Sequence, residues 1–310
     1  MTMTTPRSRP LLAAAALAAA LAPACARRAP ADPAYLAEVR AWQAKRLAAL
    51  TADDGWLSVA GLFWLNSGAN RFGSAVGNEI VLPGADTPPQ AGVLDLGPDG
   101  TVVARPAPGA GVSVDGAPAS ERVLRSDRDG ARPDILRIGS VSFYLIDRAG
   151  KLAVRVKDSR NPARLRFKGI ASFPVDPSYR VQGTFEAYRE PRRVTVATAQ
   201  GPSQAMVVPG VVRFSLRGQS LSLEPFLESP GDDNFFFVFR DLTSGRETYG
   251  ASRFLDAARP AAGSAAVVLD FNEARNPPCA FTPFATCPLP LPGNIMAVRV
   301  EAGEKFTAPE

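Results

Sequence analysis

Tyr35, Val39, Trp42, Leu47 and Leu50 recur at helical spacing, and Asp32-Pro33 just ahead supplies a capping carboxylate and a proline suited to the first turn. The pattern predicts one amphipathic helix ending near Thr51. Arg40, Lys45 and Arg46 lie among the apolar positions and read as its solvated face. After Gly55 the texture changes to short apolar runs broken by glycine and proline, which predict strands at 56–65, 79–83, 92–96 and 101–105. Ile135–Ile138, Val141–Ile146 and Leu152–Lys157 read as a meander with turns at Gly139-Ser140 and Arg148-Ala149-Gly150. Further strands are expected near Gly183–Tyr188, Arg193–Ala197, Ala205–Val208, Val211–Leu216 and Leu221–Pro225. No second long helical pattern appears. The expected fold class is all-β, mainly antiparallel sheets in a sandwich or barrel-like arrangement, with one N-terminal amphipathic helix.

The clearest hairpin joins Phe235–Arg240 to Thr248–Leu255 through a turn at Thr243-Ser244-Gly245. Counting outward sets Phe239 opposite Tyr249, Phe237 opposite Ala251 and Phe235 opposite Arg253, all on one side. Arg253 then sits on an aromatic face. It reads either as a packed guanidinium satisfied by one carboxylate or as an anion-recognising arginine at the mouth of a pocket. In the next strand, Ala266–Asn272, alternation puts Val268, Asp270 and Asn272 on one face and Val267, Leu269 and Phe271 on the other. Asp270 is therefore the natural partner for Arg253. Asn272 and Asn276 follow; they either add amide groups beside that carboxylate or serve as turn-formers ahead of proline. A pocket built this way has Arg253, Asp270, Asn272 and Asn276 as its polar part and Tyr249 with phenylalanines as its lining.

A second polar cluster runs from Arg155 through Lys157, Asp158, Arg160 and Asn161 to Pro162. Arg155 and Lys157 point to one face of a strand and Asp158 to the other. With Arg164, Arg166 and Lys168 this is the most basic stretch of the chain. It reads as a solvated edge that discourages strand pairing, or as a site for an acidic ligand such as a phosphorylated or uronic sugar.

Four prolines and two cysteines between Pro277 and Pro288 fix φ repeatedly and remove backbone donors, so this segment is an ordered, non-repetitive loop. At the other end, Arg7 and Arg9 precede an alanine-rich apolar run from Leu11 to Leu21, and Ala22, Ala24 and Ala26 follow, which is the layout of a secretory signal. The run falls short of the roughly 20 apolar residues of a spanning helix. Leu-Ala-Pro-Ala-Cys25 resembles a bacterial lipobox with its leucine one place early, making Cys25 the expected lipidation site; the other reading is an ordinary cleavage site and a soluble product. Cys279 and Cys287 then remain as a pair, expected to form a disulfide in an oxidising compartment. Such a bond closes a loop of about nine residues, on the order of 2.5 kcal/mol by chain entropy.

The chain has 3 cysteines and no histidine. A zinc site lacks ligands, no metal or cofactor is expected, and neither a Ser-His-Asp triad nor a Cys-His pair can be built. Carboxylates, lysine, tyrosine, serine with a lysine base, and arginine or amide electrostatics remain for any chemistry. Hydrophobic residues at 46% and charged residues at 21% fit a globular chain with a core. Once Arg7 and Arg9 are removed from the 35 basic residues, 33 face 30 acidic ones, too small a surplus to argue for nucleic acid.

Several segments together resemble a known family. They are Gly55-Trp56-Leu57 through Trp64-Leu65, Asn70-Arg-Phe72-Gly73, Arg155-Val-Lys157-Asp158 with Asn161-Pro162, and Thr248-Tyr249-Gly250-Ala251 with Arg253-Phe254. Asp270-Phe-Asn272 running into the cysteine loop, and Ala302-Gly-Glu304-Lys305, complete the set. From residue 35 to 305 the chain is similar to the bacterial and archaeal domain-of-unknown-function family numbered 1684. The resemblance implies a largely β protein whose members often carry export signals, and it brings no catalytic assignment.

The expected organisation is a signal with a lipobox-like end at 1–25, a tether and helix at 26–54, a first β unit at 55–170, and a second at 171–310 carrying the stapled loop. The leading functional expectation is an exported envelope protein, periplasmic or membrane-anchored through lipid alone, that binds a small or glycan-like anionic ligand. One competing expectation is a histidine-free hydrolase or lyase acting on an envelope glycan, with Asp270 and Asp158 in acid–base roles. Another is a structural envelope module without a ligand.

Overall fold

The computed structural model describes residues 1–2, 32–227, 229 and 231–307. Beyond its first two residues the expected export signal lies outside the described residues, as does Cys25. Helix α1 spans Pro33–Thr51, with Asp32 accepting the Ala34 N–H at 2.9 Å and Tyr35, Val39 and Leu50 buried. Its start and end are those of the sequence pattern, but of the predicted stripe Trp42 is only half-buried and Leu47 is exposed. The C-terminal carbonyls of a helix need donors, and here Arg164 supplies them, its Nε reaching Thr51 O at 2.7 Å and Ala52 O at 3.2 Å. One member of the basic stretch is thus a helix cap. The chain then folds back beneath the last turn at Gly55, where a Cβ would stand 2.5 Å from both Ala49 O and Leu50 O. That close approach, open to glycine, delivers Trp56 in a short 3-10 turn, Trp56–Ser58, where the sequence pattern predicts strand.

Eleven strands follow: β1 (Val59–Trp64), β2 (Gly68–Gly73), β3 (Ile80–Val81), β4 (Gly92–Leu96), β5 (Val102–Pro106), β6 (Ser113–Val114), β7 (Ala117–Pro118), β8 (Arg122–Val123), β9 (Leu136–Ile138), β10 (Val141–Arg148) and β11 (Lys151–Asp158). They form one sheet of order β1-β11-β10-β9-β6-β7 and another of order β3-β2-β4-β5-β8. Both sheets contribute to one core, in which Phe72 of β2 meets Phe143 of β10 with ring centroids 5.2 Å apart. Val154 and Val156 of β11 face this core, so alternation sends Arg155 to the opposite side.

A short helix α2 (Pro162–Leu165) leads to the remaining strands: β12 (Arg180–Val196), β13 (Gln204–Leu216), β14 (Gln219–Leu223), β15 (Asn234–Phe239), β16 (Arg253–Ala258) and β17 (Ala266–Asp270). Four of them form a sheet of order β14-β13-β12-β17, and β15 pairs with β16. β12 and β13 are each continuous where the sequence suggests two strands. Pro191 and Pro209 lack ladder donors, and the pairing absorbs them by jumping from Ala187↔Gly210 to Arg192↔Val208. The β15–β16 register also departs from expectation: Phe239 pairs with Arg253, Phe237 with Leu255 and Phe235 with Ala257. The connection from 240 to 252 is longer than the predicted turn, which displaces the register by four residues. The predicted alternation of β17 holds, with Val267 and Leu269 buried, Val268 exposed, and Phe271 buried in the turn beyond.

The sheets are antiparallel except for the two-residue β2–β3 pairing, and none closes into a barrel. The described residues from Asp32 onward form one compact unit. No helix of the described residues is long and apolar enough to cross a membrane. Gly303 sits at φ +76, where a Cβ would collide with the Ala274 carbonyl oxygen and stand 2.8 Å from that of Phe271. Replacing Gly303 with alanine should therefore cost at least about 2 kcal/mol, read as a lower urea midpoint.

Candidate functional site

Arg253 is 0% exposed. Its Nη1 donates to Asp241 Oδ2 at 2.8 Å and to Val300 O at 2.9 Å, and its Nη2 donates to Ala302 O. Its partner is Asp241, not the expected Asp270. The shifted hairpin register explains the change, because it sets Arg253 beside Phe239, close to where the chain turns into Asp241. Asp241 in turn accepts from the Thr243 and Val300 N–H groups at 2.7 and 3.2 Å, so the pair closes on itself. Of the two readings of Arg253, the packed guanidinium is the one observed.

Asp270 faces helix α1. Both its oxygens lie 2.9 Å from the Tyr35 hydroxyl, and one accepts from the Asn272 N–H at 3.0 Å. Burial, and then the hydrogen bond to Asp270, push the Tyr35 phenol above its ordinary value. Asn272 is buried, its amide donating to Tyr35 Oη at 2.8 Å and to Asp176 O at 2.9 Å. Asn276 donates its N–H to Glu304 Oε2 at 2.7 Å and its side-chain amide to Lys305 O at 2.9 Å. Glu304 also takes Arg46 Nε at 3.0 Å, so helix α1, the cysteine loop and the C-terminal segment meet at one buried carboxylate. Arg46, predicted solvated, is drawn into this joint. The Tyr249 hydroxyl donates to Cys279 O at 3.1 Å, and Asp158 caps the next turn by accepting the Arg160 N–H at 2.9 Å. Lys157 reaches the Asp54 carbonyl and lies over Tyr144.

Arg155 differs from all of these. It is 5% exposed, its guanidinium carbon lies 4.9 Å from the centre of the Trp56 ring, and its Nε has no acceptor. Among the described residues no carboxylate pairs with it. It lines a cavity of about 970 Å³ walled by Trp56, Met206, Phe236, Phe254 and Cys287. Two arginines on the same cavity are already neutralised, Arg128 by Asp147 at 2.6 Å and Arg148 by Asp127 at 3.0 Å. The charge at Arg155 is therefore uncompensated although the side chain is buried, a setting in which an anion would gain most. A second hollow of about 830 Å³ shares Trp56, Phe236, Phe254 and Pro278 with the first and adds Arg46, Asp54, Asp256, Arg275 and Asn276.

The structure thus sends two sequence candidates, Arg155 and Asn276, to adjoining hollows and places Arg253, Asp270 and Asn272 in load-carrying joints. An aromatic lining was expected, but the wall of Trp56, Phe236 and Phe254 was missed. Its signal was the Phe235-Phe236-Phe237 run, since three consecutive apolar residues in a strand mean that both faces are covered. Phe235 and Phe237 enter the core, while Phe236 packs edge-on against Phe254 with centroids 4.8 Å apart. Cys279 and Cys287 stand as free thiols, with the Cys279 N–H donating to Cys287 Sγ at 3.2 Å, instead of the expected disulfide.

The family model described as protein of unknown function (DUF1684) matches residues 165–305. A solution NMR structure of an uncharacterised Haloarcula marismortui protein is 31% identical over a match covering 46% of this chain and 79% of that one, with a TM-score of 0.40. A structure from a study of phosphothreonine-dependent FHA domain interactions is 18% identical, covering 31% and 92% of the two chains, with a TM-score of 0.22. No curated protein matches.

Removing one half of a buried ion pair leaves the other half uncompensated. Arg253→Met should lower unfolding stability by about 3–5 kcal/mol, and adding Asp241→Asn should return part of the loss, both measured by urea titration.

Proposed function

Because this chain belongs to the DUF1684 family of proteins of unknown function, membership supplies no activity, and we propose one from the cavity alone. The protein binds a small anionic ligand with an apolar or planar body. The acid group lies on Arg155 and the body lies against Trp56, Phe236 and Phe254. The observation that carries this reading is the buried guanidinium without a carboxylate, held flat by Trp56. Burying such a charge is unfavourable by itself, and a bound carboxylate, sulfonate or phosphate offsets the cost by accepting from it. Glycan acids fall within this class, since a sugar face stacks on aromatic rings as a planar body does. The export-signal pattern of Arg7, Arg9 and Leu11–Leu21 supports a place in the cell envelope, tethered through Cys25.

The acid–base alternative has less behind it. Asp270 is engaged by Tyr35 and Asn272, Asp158 by a backbone amide, and neither lines the cavity of Arg155.

Anilinonaphthalene sulfonate carries both features of the expected ligand, and uncharged phenylnaphthylamine carries only the apolar one. The wild-type chain should bind the sulfonate more tightly than the neutral dye, with fluorescence enhancement as the readout. Arg155→Gln should weaken the sulfonate by about tenfold or more while leaving the neutral dye unchanged, as loss of one charge-assisted hydrogen bond requires. A variant that folds and holds the sulfonate as tightly as wild type would sink the reading.

A further inference from the structure

Cys287 lines the Arg155 cavity, and its sulfur accepts the Cys279 N–H at 3.2 Å. Both backbones are anchored independently of the sulfurs. The Cys279 carbonyl takes the Tyr249 hydroxyl, and the Cys287 carbonyl takes the Ala199 N–H at 2.8 Å. The loop between them is already folded with both thiols free: Phe281 and Thr282 donate to Pro278 O at 2.9 and 3.2 Å, and Ala285 is fully buried. A cross-link is therefore not needed to build the loop. The sulfurs also differ in access, because Cys279 is half-buried and Cys287 is buried. A more accessible attacking thiol beside a buried resolving thiol is the arrangement of a redox pair, whereas a permanent staple needs no such asymmetry.

We propose that Cys279 and Cys287 form a reversible dithiol–disulfide site, oxidised by low-molecular-weight disulfides, whose closure reshapes the wall of the Arg155 cavity. The Cys279 thiolate attacks one sulfur of the small disulfide, forming a mixed disulfide and releasing one thiolate. The Cys287 thiol then loses its proton to solvent, and its sulfur attacks Cys279 Sγ, expelling the second thiolate. Two protein thiols are oxidised by two electrons, and one small disulfide is reduced to two thiols. The hydrogen bond to Cys287 holds the Cys279 thiol below its ordinary value, which favours Cys279 as the attacking group. The proposal stands on the geometry of the cavity and does not depend on what occupies it.

The test uses the full reduced chain exposed to oxidised glutathione, with peptide mass mapping and tryptophan emission as readouts. The expected result is the loss of two hydrogens between the peptides holding Cys279 and Cys287, reversed by dithiothreitol without denaturant. A change in emission should accompany oxidation and vanish in Trp56→Phe and in Cys287→Ala. Four results would each overturn the proposal: no intramolecular cross-link, a glutathione adduct that never resolves, a cross-link that native dithiothreitol leaves intact, or a cross-link that leaves Trp56 emission unchanged. The sulfonate titration bears on the anion reading alone, so the two can fail separately.

Discussion

The buried pair of Arg253 and Asp241 is the tie on which the second half of the molecule depends. A guanidinium removed from water needs acceptors, and both terminal nitrogens of Arg253 find them in one carboxylate and two carbonyls of the C-terminal segment. That fixes Val300 and Ala302, and Gly303 then turns the chain so that Glu304 arrives at the buried joint. Glu304 in its place holds Arg46 of helix α1 and the Asn276 amide at the mouth of the cysteine loop. Pro278, which walls both hollows, and Cys287, which walls the first, hang from that last contact. A residue with no exposure thus sets the position of the only free-thiol loop among the described residues.

The charges around the cavity are distributed unevenly in a way that sharpens its character. At the rim, Arg128 and Arg148 are each matched by an aspartate and can contribute little net field. Deeper in, Arg155 has an aromatic face where a carboxylate would otherwise be. Cation–π contact orients the guanidinium and leaves its in-plane donors free, because the ring occupies the face and not the edge. Trp56 therefore positions a cation without neutralising it, a task an aspartate could not perform.

Much of the fold was legible because it is set locally. Asp32-Pro33 announces a helix start whatever lies beyond it, and the alternation of Val267, Leu269 and Phe271 reports a buried face directly. Pro191 and Pro209 misled for a local reason as well: each does break the ladder, but opposite one another they break it at the same place, and the strands run on. The site was harder to read because its defining property is relational. Arg155 and Arg253 look alike in sequence, both in strands and each followed by an apolar residue. What separates them is whether a carboxylate arrives from elsewhere, and that depends on a hairpin register fixed by the long connection from 240 to 252 and on a tryptophan delivered by the turn at Gly55.

The meeting of Arg46 with Glu304 spans 258 positions of sequence. During synthesis helix α1 emerges early, yet its anchoring acid is made on the order of tens of seconds later at ordinary translation rates. Until then the helix has nowhere final to lie, and its apolar stripe is open to any chaperone that meets it. Contacts of such long sequence separation also form late and slowly on the folding pathway. Glu304 thus acts as a latch, closing on helix α1 only after the sheets between them in sequence have been made.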